Sequence, residues 1–106
     1  MRRDVFQAIA DPTRRGIIQL IADKPLRLNT IAEKFEMSRP AISQHIKVLT
    51  ECGIVTINQT GRERYCQIQP RKLEEVAEWL EPFRELWEQR FDQLDSLLVR
   101  MRNSNK

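Results

Sequence analysis

An apolar seam through the last third of the chain constrains what this sequence can fold into. Leu73, Val76, Leu80, Phe83, Trp87, Phe91, Leu94, Leu98 and Met101 follow at intervals of 3, 4, 3, 4, 4, 3, 4 and 3, close to the heptad rhythm that places one stripe along one side of a helix. A helix over residues 71–102 reaches roughly 45 Å, beyond the span of a compact body made from the residues before it. Trp79, Leu80, Phe83, Leu86, Trp87 and Phe91 crowd into 13 residues, a wider apolar face than one small domain covers. Beyond Pro82 the seam is therefore expected to meet a second copy of the chain, through Phe83, Trp87, Phe91, Leu94 and Leu98. Packing within the same chain is the plainer alternative. Val5, Phe6 and Ile9 of "DVFQAIA" share a short helical face near the start and are the natural second component of that contact. Pro82 is expected to bend the long helix about one turn earlier.

The punctuation ahead of the seam divides the rest. Asp11-Pro12 reads as an N-cap followed by proline at the first helical position, opening a helix through Ile17, Ile18, Leu20 and Ile21 that stops near "DKP". A short helix follows, capped by Asn29 or by Thr30 with Glu33 three residues on, and buries Ile31, Ala32 and Phe35. After a tight turn at "EMS", Ser38 caps another helix, with Pro40 in its tolerant first turn. This helix runs to about Cys52, where Gly53 suits a left-handed stop. The period then changes: "IVTINQ" and "RERYCQIQ" flank Thr60-Gly61 and read as a hairpin over residues 54–69. Two strands are marginal alone, so the hairpin must lean on the helices. Helix, helix, short helix, turn, helix, hairpin and long helix is the order of a winged helix-turn-helix, mainly α with a small β-hairpin.

At 106 residues the chain is expected to be one domain, with a body over 1–70, a terminal helix over 71–102 and a fraying polar tail, "RNSNK". No apolar run approaches the roughly 18 residues of a membrane span, and no leader pattern opens the chain. Cys52 and Cys66 are too few for a disulfide framework and suit a reducing cytoplasm. Charge is divided unevenly: residues 1–72 carry 13 Lys/Arg against 7 Asp/Glu, whereas residues 73–106 carry 5 against 8. The basic part suits a polyanion, and the acidic part suits another task.

The helix after Ser38 has two unlike faces. With Ile42 at 0°, Ile46 falls at about 40° and Leu49 at about −20°, whereas Pro40, Ser43, Gln44 and Lys47 lie between about 100° and 200°. Arg39 stands near the N-terminal end, from which helix-turn-helix proteins reach base edges. Arginine donates in pairs to guanine, glutamine pairs with adenine, and serine bonds to either kind of base. Lys47 is placed for a phosphate, and the cap at Ser38 for phosphate oxygens. Arg62 and Arg64 flank the hairpin turn and can reach a minor groove or the backbone. A polar outer face is also the norm for any surface helix, and charges at a hairpin tip discourage edge pairing. The joint occurrence of helix and wing favours double-stranded DNA as partner. His45, at about −60°, sits on the shoulder of the apolar stripe, where local packing or hydrogen bonding is expected before a DNA contact.

"ADPTRRGIIQLI", "IAEKFEMSRPAISQHIKVLTECGIV" and "GRERYCQI" together resemble the ArsR family of bacterial winged-helix repressors, over about residues 4–70. The resemblance implies a homodimer that binds a partly palindromic operator and represses transcription, often of its own operon. It implies that Arg39, Pro40, Ser43 and Gln44 face the major groove, with Arg62 and Arg64 near the flanking groove. Many ArsR-type sensors carry a Cys-x-Cys pair where this chain has "LNTIAEKFE", and others place His and acidic ligands along the last helix, where residues 71–102 have no histidine. The chain is thus more similar to members without metal sites, including those with "WLEPFRELWEQRFDQL"-type terminal helices. No cofactor is implied, and no particular small-molecule or metal effector.

Other chemistries find less support. His45, Cys52 and Cys66 lack paired zinc-ligand spacing. Gly16, Gly53 and Gly61 are too scattered for a phosphate loop, and the glutamates after residue 73 form a solvated helical face, so no enzyme is expected. A thiol switch between Cys52 and Cys66 is weighed against two inert buried cysteines. A protein–protein module using only the terminal helix is the reading from a different class.

Overall fold

The computed structural model describes residues 4–104; the last two residues of the polar tail lie outside that range. Helix α1 (Val5–Ile9) opens on a reciprocal cap. Asp4 Oδ1 accepts from the Gln7 N–H at 2.8 Å, and Gln7 Oε1 accepts from the Asp4 N–H at 3.2 Å, which satisfies two donors that a helix start leaves without partners. Helix α2 (Pro12–Ile21) begins as expected, with Asp11 Oδ2 accepting from the Arg14 N–H at 3.0 Å.

Helix α3 (Leu28–Lys34) differs from expectation at its start. Neither Asn29 nor Thr30 caps it: Arg27 holds the cap position and makes no side-chain cap bond. The cause is a short strand, β1 (Leu26–Arg27), which runs straight into the helix. It pairs antiparallel with β3 (Glu63–Ile68), Leu26 opposite Cys66 and Arg27 opposite Tyr65. Strand β2 (Val55–Thr60) pairs with the other edge of β3, in register from Val55–Ile68 to Thr60–Glu63. The sheet therefore has three strands in the order β1-β3-β2, and the expected hairpin gains a third strand as well as helices to lean on. Gly61 turns the hairpin at φ 63°.

Two helix ends use the same device. Helix α4 (Arg39–Glu51) closes with the Ile54 N–H bonded to Leu49 O and the Gly53 N–H to Thr50 O, both at 3.0 Å, and Gly53 at φ 78°. This is the Schellman arrangement. The turn joining α3 to α4 repeats it, with Met37 N–H to Ala32 O at 3.1 Å and Glu36 N–H to Glu33 O at 3.2 Å. Here a glutamate, Glu36, takes the left-handed position at φ 53°, where a Cβ costs roughly 1–2 kcal/mol. The Ser38 cap then starts α4, its Oγ accepting from the Ala41 N–H at 3.2 Å.

Val5, Ala8, Ile17, Ile21, Leu28, Ile31, Ile42, Ile46, Leu49, Ile54, Val55 and Cys66 all join one buried core. Gly16 lets α2 approach α3: a Cβ there would lie 2.9 Å from a ring carbon of Phe35. A 3₁₀ turn (Pro70–Leu73) leads into α5 (Glu74–Ser104), which stays helical across Pro82 and into the tail. The chain divides into two compact units, Met1–Val76 and Ala77–Lys106. The division falls inside α5, not at Pro70, because half-buried Leu73 and Val76 pack against the core of the first unit.

Within the second unit, α5 leaves its apolar side chains open. Trp79, Phe83, Leu86, Trp87, Phe91, Leu94 and Leu98 are all exposed, Phe91 by 66%. Trp79 and Phe83 stack on each other in a tilted pair with ring centroids 5.3 Å apart. No helix among the described residues is long and apolar enough to cross a membrane.

Candidate nucleic-acid interface

Helix α4 presents the two faces that its periodicity requires. Ile42, Ile46 and Leu49 are buried in the core, whereas Ser38, Arg39, Pro40, Ser43, Gln44 and Lys47 are exposed. The apolar side holds the helix to the body, so its polar side must face outward. Arg62 and Arg64, on the wing formed by β2 and β3, are exposed too.

Side chains from both elements line one groove of about 420 Å³: Ser43, Ile46, Lys47, Thr50 and Glu51 from α4, Ile57 and Arg64 from the wing, and Leu28 from α3. Ser43, Lys47 and Arg64 are thereby brought together, although Arg64 is 17 residues beyond Lys47. Arg39, Gln44 and Arg62 lie outside this lining. Ile57 and Thr50 were not anticipated. Ile57 alternates with Val55 and so reads as inward-facing, yet it is exposed on the edge strand. Thr50 spends its hydroxyl within the helix, Oγ1 donating to Ile46 O at 2.8 Å.

Two further contacts steer side chains at this surface. The Arg39 guanidinium donates to Asn29 Oδ1 at the start of α3, which restrains a long side chain that would otherwise sample many rotamers. Glu63, at the wing tip, stands 3.8 Å from Arg27. It leaves Arg62 and Arg64 as the cations flanking it. His45 is half-buried, with Nδ1 3.5 Å from an Arg14 guanidinium nitrogen and 3.9 Å from Asp11 Oδ2. The expectation of a shoulder histidine in local contact describes this position.

At the proposed self-contact, Val5 is 2% exposed and belongs to the protomer's own core. Its side chain is therefore closed to a partner, and of the three helix-1 residues only Phe6 and Ile9 retain accessible surface. Among the described residues no cluster of three or more His, Cys, Asp or Glu is placed to hold a metal ion. Neither cysteine is in a disulfide. Burial pushes the Cys66 thiol up to about 11, away from the thiolate that redox switching requires. Cys52 Sγ donates to Asp4 O at 3.3 Å.

Comparison with known proteins agrees with this geometry. The sequence profile of the bacterial regulatory protein arsR family matches residues 11–56. The transcriptional repressor SdpR of Bacillus subtilis is 32% identical over 77 residues, covering 73% of this chain and 86% of that protein. The HTH-type transcriptional regulator Rv2034 of Mycobacterium tuberculosis is 38% identical over 78 residues, covering 74% and 73%. Among solved structures, the ArsR-like transcriptional regulator from Rhodococcus sp. RHA1 superposes with a TM-score of 0.69 at 28% identity, covering 88% of this chain and 85% of that one. The exposed polar face of α4, the arginine-bearing wing and these relatives converge: the chain belongs to the ArsR family of bacterial regulatory proteins, which are DNA-binding transcriptional regulators and not enzymes.

Proposed function

We propose that this protein is a homodimeric repressor that binds a partly palindromic operator, each protomer placing residues 39–47 in a major groove. Arg39, Ser43 and Gln44 read base edges, Pro40 lies against the groove, Lys47 neutralises phosphate, the Ser38 cap meets a phosphate oxygen, and Arg62 and Arg64 approach the flanking groove. The observation that carries this reading is the shared groove of Ser43, Lys47 and Arg64, which brings a hydrogen-bonding side chain and two cations from separate elements to one surface. Two-fold recognition follows from a self-contact through Phe6, Ile9, Phe83, Trp87, Phe91, Leu94 and Leu98, supported by their accessible apolar surface. A dimer of this kind spaces its half-sites by about 34 Å or a multiple of it.

Selection of duplexes from a random DNA library by the purified protein, at near-physiological salt, tests the whole reading. A partial palindrome is the expected product. Gln44→Ala then relaxes base preference at one position in each half-site, with a discrimination loss of about 1–3 kcal/mol. Lys47→Ala weakens all sequences alike and lowers the slope of log affinity against log salt by about 0.9 per protomer. Recovery of no motif, with binding that vanishes as salt rises, would leave only nonspecific electrostatics and make a protein partner of α5 the better reading.

A further inference from the structure

Three helices meet at Arg14. Its Nε donates to Ala8 O at 2.7 Å and its Nη2 to Gln7 O at 3.1 Å. The neighbouring Arg15 Nη1 donates to Ile9 O at 2.7 Å and to Ala10 O at 3.1 Å. The two arginines thus take up the carbonyls of residues 7–10, groups that a helix end leaves short of partners and where positive charge is favoured. Two bonds to one planar guanidinium fix its plane. The remaining nitrogen, Nη1, is directed at His45 Nδ1 in α4, 3.5 Å away. Asp11 completes the cluster: Oδ2 accepts from the Arg14 backbone N–H at 3.0 Å and lies 3.9 Å from the same imidazole nitrogen.

His45 follows Gln44 directly and precedes buried Ile46. A contact made there acts on the rotation of α4 about its own axis, and hence on where Gln44 and Lys47 point. An arginine can only donate, so the contact requires an imidazole with a bare Nδ1 and its proton on Nε2.

We propose that Arg14 is a positioning residue for DNA binding, using the last carbonyls of α1 as its anchor and His45 as its handle on the recognition helix. The role rests on α4 entering DNA, as proposed above. Lysine cannot replace arginine here, because a point charge on a flexible stem cannot hold two carbonyls and an imidazole in fixed directions. Glutamine can replace His45, because its amide oxygen accepts the same donor.

The test measures affinity of the full chain for the selected operator, at a temperature where circular dichroism shows each variant folded. Arg14→Lys and His45→Ala are each expected to weaken binding about five- to tenfold. The double variant should bind no more weakly than the weaker single one. His45→Gln should recover most of the loss. The salt slope should stay at the wild-type value throughout, since no phosphate contact is removed. Imidazole ¹⁵N shifts should place the proton on Nε2 in the wild type. Additive losses, no recovery in His45→Gln, a reduced slope for His45→Ala, or a proton on Nδ1 would overturn the role while leaving operator binding intact. Wild-type protein that selects no motif would overturn the DNA reading itself, and the positioning role with it.

Discussion

The two units of this chain handle apolar side chains in opposite ways. In Met1–Val76, Ile17, Ile31, Ile42, Leu49 and Ile54 are wholly buried. In Ala77–Lys106, most of the aromatic and leucine side chains of α5 are exposed, from Phe83 at 40% to Phe91 at 66%. Periodicity is equally regular in both regions, so pattern alone does not distinguish a core from a surface. What differs is the number of neighbouring elements. Several helices and the sheet share the core that holds the buried isoleucines, whereas the second unit consists of one long helix, with no further element of that unit among the described residues to cover its stripe. Exposed apolar area on this scale marks a place where another surface belongs. Burying Trp87 and Phe91 there is worth about 1.5–3 kcal/mol each.

The contrast can be broken most severely at the seam. Trp87→Glu is expected to turn the proposed dimer into monomer in sedimentation equilibrium. It should cost operator affinity about 10²- to 10⁴-fold, because two half-sites are no longer engaged together. Thermal unfolding of the first unit should scarcely change. A dimer that survives the substitution would place the self-contact elsewhere.

The reverse experiment attacks the body. Leu49→Ala removes a fully buried side chain and should cost about 2–5 kcal/mol in urea unfolding, with the association of α5 preserved in whatever fraction remains folded. Loss of association at the same urea concentration as loss of helix signal would show that the two units unfold together.

A smaller effect sharpens the picture of the body alone. The Arg14 backbone N–H, aided by the Arg14 charge, holds the Asp11 carboxyl below its ordinary value of 3.8 against the opposing pull of burial. The folded state thus prefers the ionised form. That stability is fully present above the ordinary value and is lost as pH falls through the folded one. Asp11→Asn keeps a good cap, so stability at neutral pH should stay within about 1 kcal/mol. Its decline on acidification should be shallower than in the wild type. Matching acid limbs would mean that Asp11 titrates alike in both states.

How much of this was legible beforehand follows from the distance over which each feature is decided. The caps at Asp11 and Ser38, the stop at Gly53, the turn at Gly61 and the two faces of α4 depend on residues within a few positions of one another, and all were readable. The start of α3 was not. Thr30 and Glu33 have the right spacing for a cap, but pairing of Leu26 with Cys66 drew the preceding residues into the sheet and left no room for one. Local propensity lost to a strand partner 40 residues away. Val5 likewise reads as part of an amphipathic face free for a partner, until the helices close over it. At the interface, the exposed side chains of α4 and the wing were each readable as candidates. Their meeting in one groove was not, nor was the tie between Arg39 and Asn29.

The sequence by itself determined the order of the helices and the hairpin, the polar and apolar sides of the recognition helix and the family, because these are set by side-chain period, by caps and by joint motifs along the chain. Only the tertiary structure decided that β1 completes the sheet, that Lys47 and Arg64 line one groove, and that Arg14 reaches His45 across 31 residues. Such contacts depend on where separate elements come to rest. That is settled by packing of the shared core, a property of the folded chain that no local window contains.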